Sequence, residues 1–212
     1  MVPPKLARHP HPHPTESLPG YVLRLSEANG HPSPRRLFRL AGMIANESSF
    51  TRFACSKLAS IANLPTLDLE QLAFTRSEKD PESMFLLKNR VSAKDLNLGG
   101  ARVCPECVAE KGFIEAHWHI ELMVACPVHA KAVIWFCGKC RSRLNWLRPG
   151  LLECRCGSPL LNPPLDRYSA PELSLLDLIR QKALPSRSIY ASEAPRSNES
   201  AIPTLTGPLS WE

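Results

Sequence analysis

Seven of the eight cysteines lie between positions 104 and 156, and this clustering constrains the fold more than any other feature. Together with one histidine they form two groups of four soft metal ligands. The groups are Cys104, Cys107, Cys126 and His129, and then Cys137, Cys140, Cys154 and Cys156. Zinc in structural sites takes four such ligands in a tetrahedron, and the Cys-x-x-Cys spacing lets two sulfurs converge on one ion. Because each group supplies all four ligands of a tetrahedral zinc ion, the sequence predicts two structural zinc ions with no open position for a catalytic water.

Other interpretations of these side chains remain open. His117 and His119 are rival ligands for the first zinc, although His129 has the knuckle spacing from Cys126. The cysteines would form disulfides in an exported protein, but the N-terminus shows no apolar signal segment. We therefore expect a reducing, cytoplasmic setting. Cys55 stands alone in a helical stretch and is interpreted as a small core residue rather than a nucleophile.

The charge balance favours a polyanionic partner. Lys and Arg total 26 against 20 Asp and Glu, which gives a formal net charge of +6. Two zinc-thiolate centres would lower this to about +3, so local basic clusters matter more than the total. No apolar run approaches the ~20 residues that a membrane-spanning helix needs, and we expect no membrane partner.

The candidate contact residues lie in two basic clusters. Arg35, Arg36 and Arg39 lie on one side of a short predicted helix, where they either meet phosphate or form an ordinary solvated face. In the second zinc group, Trp146 is interleaved with cations, an arrangement that can hold a phosphate backbone and stack a base. These cations are Lys139, Arg141, Arg143, Arg148 and Arg155. The alternative is that they balance the negative charge of a Zn(Cys)₄ centre.

The segment 57–74 predicts a helix-turn-helix, with Asn63 in the tight turn and Leu64 at the corner. A helix that reads DNA presents Arg, Lys, Asn or Gln to base edges. The second helix carries Asp68 and Glu70, which phosphate would repel. We interpret the motif as a scaffold or protein-docking surface in preference to a groove reader.

The sequence thus predicts a mainly α fold with small zinc-ribbon β elements. A helical subdomain with the helix-turn-helix precedes two zinc ribbons, and its first helix is capped by Thr15 or Ser17. Within it, a connector carries a short helix around Met84 to Lys88, and Trp118 lies on a strand crossing the first zinc site. The expected divisions are a disordered Pro/His-rich arm (1–14), the helical subdomain (15–100), the tandem ribbons (101–162), a linker and helix (163–184) and a disordered tail (185–212). The alternating histidines of the arm are either a metal-binding tract or part of a solvated polyproline segment.

The opening ESLPGYVLRLSEANG resembles the start of the TniQ family of transposition proteins, whose members begin with a Glu-Ser-Leu helix ending in Ala-Asn. The stretches VCPECVAEKGF, ACPVHAKAVIWFCGKCRSRL and CRCGSPL are similar to the paired zinc ribbons of that family. The helical part, helix-turn-helix and ribbons follow the family's order. The resemblance extends over residues 15–162.

The resemblance implies a non-catalytic adaptor in DNA transposition that selects target sites. Family members connect a target-recognition complex to the AAA+ ATPase that recruits the transposase. Some bind target DNA directly, and others dock onto an RNA-guided CRISPR effector complex. The family's zinc-ligand pattern carries over to the eight residues of the two groups, and no catalytic residue carries over.

Longer members continue into a second helical, DNA-binding region, whereas here one predicted helix and a Pro/Ser-rich tail follow the ribbons. This difference favours an adaptor that rests on other proteins, or a truncated transposon remnant. The alternative function is a stand-alone zinc-ribbon and helix-turn-helix transcription regulator, which would bind a specific DNA sequence. A metalloenzyme would need an unsaturated metal, and the closed ligand count offers none. The sequence leaves open the target DNA, the mode of target recognition and a homodimer.

Overall fold

The computed structural model describes residues 5–45, 50–161 and 168–184. In these residues the chain forms six α-helices, two short 3₁₀ helices and two small antiparallel sheets. The predicted combination of helices with small β elements is confirmed. The tail expected to be disordered, 185–212, lies outside the described residues. None of the described helices combines the length and apolar character needed to span a bilayer.

The N-terminal half is built on helix α1, Leu18–Ala28, whose side chains fill the centre of the core. Of the two predicted caps, Ser17 is the one used: its Oγ accepts a hydrogen bond from the Gly20 amide at 3.2 Å. Gly30 adopts a positive φ of 66° just beyond the end of the helix. Helix α2, Arg35–Leu40, then packs beside α1 and buries Leu37.

Helices α3, Arg52–Ala62, and α4, Thr66–Glu70, overlap segment 57–74, and the helix-turn-helix expected there stays a prediction. Asn63 joins them in the left-handed region at φ 54°, as its place in the turn requires. Leu69 and Leu72 face the core. With only five residues, α4 is much shorter than a typical helix of 10 residues or more. Its use in binding DNA or protein stays a prediction.

The connector does not contain the predicted helix around Met84. Instead, β1 (Thr75–Arg76), β2 (Ser83–Leu86) and β3 (Asn89–Ser92) form an antiparallel sheet in the order β1-β2-β3. Met84 and Leu86 are both buried on β2, and they lie on one face of the strand because side chains alternate. Positive φ angles at Leu87 and Lys88 form the two-residue turn between β2 and β3. A 3₁₀ helix, Ala93–Asp95, follows the sheet.

The expectation of a disordered arm is wrong for residues 5–14, which pack against the helices. Leu6 is buried, and its amide donates to the carbonyl of Ile61 at 3.1 Å. The Tyr21 hydroxyl donates to the carbonyl of Pro10 at 3.1 Å. Proline lacks an amide but keeps its carbonyl, so a Pro-rich segment can still accept hydrogen bonds from a folded surface. Residues 1–4 lie outside the described part of the chain.

The C-terminal half begins with α5, Pro105–Lys111, and continues through the hairpin of β4, Ala125–Cys126, and β5, Lys131–Ala132. The strand predicted around Trp118 is wrong: Ala116–His119 is a 3₁₀ helix whose side chains are all buried. An alternating pattern predicts a strand with one face in water, and this segment has no such face. Helix α6, Ala170–Ala183, packs on β4 and on that 3₁₀ helix, and its Leu176 is buried.

The two halves join closely at the start of α1. The Ser17 amide donates to the carbonyl of Ile114 at 3.1 Å, and the Ala116 amide donates to the carbonyl of Thr15 at 2.8 Å. Gly20 lies directly against this junction. A Cβ atom placed on Gly20 would stand 3.0 Å from the Cβ of Ile114. A side chain at this position would therefore push the halves apart.

We predict that Gly20→Ala destabilises the protein by about 1–2 kcal/mol, because overpacking outweighs the gain of about 1 kcal/mol in helix propensity. Denaturant unfolding followed by circular dichroism measures the change. Gly99→Ala is the matched control, since a Cβ there meets nothing within 4 Å. Equal stability of the two variants would contradict the close approach at Gly20.

Candidate metal centres

The first group of ligands is assembled by a helix start and a hairpin turn. Cys104 immediately precedes α5, and Cys107 lies in the first turn of that helix. Cys126 ends β4 and pairs with Lys131 across the hairpin, so His129 lies in the four-residue turn between the strands. Ala130, with a positive φ of 50°, completes this turn. One half of the site is therefore helical and the other half is a hairpin.

The four donor atoms of this group converge, and all lie within 4.8 Å of one another. The Sγ atoms of Cys107 and Cys126 are 3.4 Å apart. His129 Nδ1 stands 3.3 Å from Cys107 Sγ and 3.5 Å from Cys104 Sγ. A tetrahedron with Zn–S bonds of about 2.3 Å places its sulfurs about 3.8 Å apart. The spacing and the donor set fit one tetrahedral metal ion, and we call these four residues the first cluster.

The second group is assembled by two tight turns. The Cys137 amide donates to the carbonyl of Ser142 at 2.9 Å, and the turn between them contains Arg141 at φ 57°. Sulfur separations of 3.7 Å join Cys137 to Cys156 and Cys140 to Cys154. The four sulfurs also lie within 4.8 Å of one another. This set, the second cluster, has the donors and the spacing for a second tetrahedral ion.

The clusters differ in exposure. Cys104, Cys107 and Cys126 are buried, whereas Cys140 and Cys156 of the second cluster are exposed. The Ser142 hydroxyl contacts Cys140 Sγ at 2.9 Å, and this hydrogen bond is the main reason that the pKa of Cys140 falls to about 6. Cys140 is therefore mostly a thiolate, the form that binds a metal, at neutral pH.

The geometry matches neither disulfide bonds between the cysteines nor His117 or His119 as metal ligands. All eight cysteines are free thiols, and the reported sulfur separations of 3.4–3.7 Å far exceed a disulfide bond of about 2.05 Å. His117 and His119 belong to neither cluster. Both are buried in the core, where His119 Nδ1 donates to the carbonyl of Asn97 at 3.1 Å. The arm histidines His9, His11 and His13 also lie outside both clusters.

Glu110 supports the first cluster and was missed by the sequence analysis. His129 Nε2 lies 3.0 Å from Glu110 Oε1, so the imidazole donates its proton there and turns Nδ1 towards the sulfurs. A carboxylate behind a ligating histidine fixes the tautomer and the orientation of the ring. The signal was available in the sequence, since Glu110 follows Cys107 by three residues and shares its face of α5.

The predicted contact residues divide into exposed and buried sets. The exposed set is Arg35, Arg36, Arg39, Lys139, Arg141, Arg143 and Arg155. The other two predicted contacts, Trp146 and Arg148, are wrong as surface residues, since each is only 1% exposed. The Trp146 ring stacks on His119 with centroids 5.0 Å apart, and burial of this large apolar surface holds it in the core. Three backbone carbonyls accept hydrogen bonds from the Arg148 guanidinium.

The fold and these two clusters define a helical protein with two four-donor sites able to hold structural metal ions. The TniQ family model matches residues 7–132, more than half of the chain, and the chain therefore belongs to the TniQ family. The match contains the first cluster and ends before the second, whereas the resemblance noted in the sequence extends to residue 162. A comparison with curated proteins gives no match. TniQ proteins are non-catalytic transposition adaptors, so the expectation that the chain is not an enzyme is confirmed.

We predict that Glu110→Ala weakens metal binding at the first cluster about tenfold, because His129 loses the acceptor that orients it. Titration of the folded protein with a chromophoric chelator measures the affinity of each bound ion. Glu82→Ala, which removes an exposed carboxylate outside both clusters, is the control. Unchanged metal affinity in Glu110→Ala would show that Glu110 does not orient His129.

His119 gives the protein a defined acid sensitivity. Burial lowers the pKa of His119 to about 4 in the folded protein, against about 6.5 for an unperturbed histidine. The unfolded chain therefore binds the proton first, and the stability present above pH 6.5 is lost as the pH falls towards 4.

We predict that the free energy of unfolding, measured relative to His119→Phe, falls by about 2 kcal/mol between neutral pH and about pH 5. Phenylalanine keeps an aromatic ring against Trp146 and does not titrate. Both proteins would release metal in acid to the same extent, so the difference between their free energies of unfolding does not contain that effect. Denaturant titrations at each pH measure the difference, and parallel stability curves would show that His119 is not the titrating group.

Proposed function

We propose that this chain is a non-catalytic adaptor that selects target sites in DNA transposition. It bridges a target-recognition complex, or the target DNA itself, to the AAA+ ATPase regulator of the transposon. The observation that carries the proposal is the match of the TniQ family model over residues 7–132. Under this proposal the partners of the chain are components of the transposition machinery.

Each cluster is proposed to hold one structural zinc ion. Zinc would supply a cross-link between segments that are 19 to 25 positions apart in the first cluster, as between Cys107 and Cys126 or between Cys104 and His129. Four protein donors complete a tetrahedron, and this favours a structural role over a catalytic one. The residues hold and orient the ion, and the ion fixes the short turns between them as rigid surfaces.

Two exposed basic surfaces are proposed to contact nucleic acid. The first, on α2, consists of Arg35, Arg36 and Arg39, and the second is the exposed set of cations around the second cluster. Helix α4 carries Asp68 and Glu70 and supports a protein-docking role for the pair α3–α4. Glu70 is paired with Arg52 at 2.9 Å, so one cation of α3 is already neutralised.

The test combines association with the ATPase and binding of DNA. We expect the purified chain to co-elute with the AAA+ ATPase of the same element in the presence of nucleotide and a random-sequence DNA duplex. Reversing Arg35, Arg36 and Arg39 to Glu should leave the ATPase association intact. The same variant should weaken binding of the duplex at least about tenfold, because contacts to phosphate carry sequence-independent affinity.

The control reverses three exposed lysines in the connector, Lys79, Lys88 and Lys94, which changes the net charge equally. Equal loss of DNA affinity in both variants would show a general charge effect and would reject the α2 surface as a DNA-binding site. Failure to associate with the ATPase under every condition would reject the adaptor. Tight binding of one particular DNA sequence by the chain alone would instead favour the transcription regulator.

A further inference from the structure

Arg148 is a buried cation in an unusual environment. Its Nε, Nη1 and Nη2 donate to the carbonyls of Gly150, Asn145 and Leu151 at 3.1, 2.8 and 3.1 Å. These three acceptors are neutral, and among the described residues no carboxylate forms an ion pair with the guanidinium. A buried charge is costly unless an opposite charge compensates it. The Trp146 ring centroid lies 5.7 Å from Arg148 Cζ and offsets part of this cost. A negative charge close to Arg148 would offset it further.

One source of negative charge is the second cluster. Arg148 and Cys154 line the same small cavity of about 10 Å³. Four thiolates around one divalent ion carry a net negative charge, which a nearby buried cation offsets with little screening from water. Burial lowers the pKa of Arg148 to about 10, and attraction by Cys154 and then by Glu27 opposes this shift. Arg155 lies between two cluster cysteines but is exposed, so solvent screens its charge.

The loop that Arg148 holds also contacts α1. The Leu151 amide donates to Glu27 Oε2 at 3.1 Å, while the carbonyl of the same residue accepts from Arg148. Gly150 lies close to the same carboxylate, since a Cβ there would stand 2.4 Å from Glu27 Oε1 and the carboxylate would have to move. The Ser33 hydroxyl donates to the carbonyl of Leu147 at 3.0 Å. Residues 145–151 thus connect the second cluster to the N-terminal helices.

We infer that Arg148 is the buried counter-cation of a metal tetrathiolate at the second cluster, and that metal binding there holds the loop 145–151 against α1. The inference rests on the metal occupancy proposed above. Without the metal, nothing holds the four sulfurs at one point beside Arg148, so the loop loses its fixed shape. Arg148 is a positioning residue, since it acts on the site through charge and through the loop.

The experiment uses the full chain with Co²⁺ as the metal probe, because thiolate-to-cobalt absorption distinguishes a Cys₄ site from a Cys₃His site. Arg148→Met is compared with Arg155→Met, which removes the same charge from an exposed position. We expect Arg148→Met to weaken cobalt binding at the second cluster at least about tenfold, with the first cluster unchanged. Arg155→Met should change it less than about threefold. Equal effects in the two variants, or wild-type affinity in Arg148→Met, would overturn the inference.

A second measurement keeps the test decisive if Arg148→Met does not fold. Cys140 is exposed, so Cys140→Ser removes one ligand without leaving a cavity in the core. This variant should bind one metal ion, and hydrogen exchange at the Leu151 amide should speed up at least about tenfold, because the loop leaves Glu27. Retained protection of that amide after loss of the metal would overturn the role of Arg148. Retention of two ions at wild-type affinity would instead reject Cys140 as a ligand of the second cluster.

Discussion

The convergence of four donors on each of two points is the constraint on which residues 101–161 depend. Regular secondary structure is sparse there, since α5 has seven residues and β4 and β5 have two each. Elements of this length gain little from their own hydrogen bonds. A structural zinc ion contributes on the order of 10 kcal/mol to folding, comparable to the stability of a whole domain. Two such cross-links would determine the positions of the turns between them.

The two clusters relate differently to the rest of the molecule. The first is set in the core with its thiols buried, inside the part of the chain that the family model matches. The second lies outside that match and exposes two of its ligands. The stack of Trp146 on His119 joins the two regions, because Trp146 belongs to the second and His119 to the 3₁₀ helix beside the first. Buried residues of both regions belong to the same hydrophobic core.

The sequence predicted the features that depend on local spacing. Both clusters were predicted because Cys-x-x-Cys and Cys-x-x-His place two donors on one turn. The cap of α1 was predicted as Thr15 or Ser17, because a cap depends only on its own helix. The connector sheet was not predicted, since the short apolar run around Met84 fits a buried strand or a helix equally well. The positions of Trp146 and Arg148 were wrong because sequence alone does not show that three carbonyls and a histidine ring enclose them. Burial of this kind depends on contacts between distant segments.

The contact between Ser33 and Leu147 ties the two proposed basic surfaces together. Helix α2 begins at Arg35, two residues after the serine that holds the second-cluster loop. This hydrogen bond links the start of α2 to residues 145–151, and under the inference drawn for Arg148 it also links α2 to the second cluster. An adaptor that acts by placing partners side by side needs its contact surfaces at a fixed distance, and a saturated metal site provides rigidity without reactivity. Such closed coordination would suit the proposed adaptor, because its output would be the relative position of its partners.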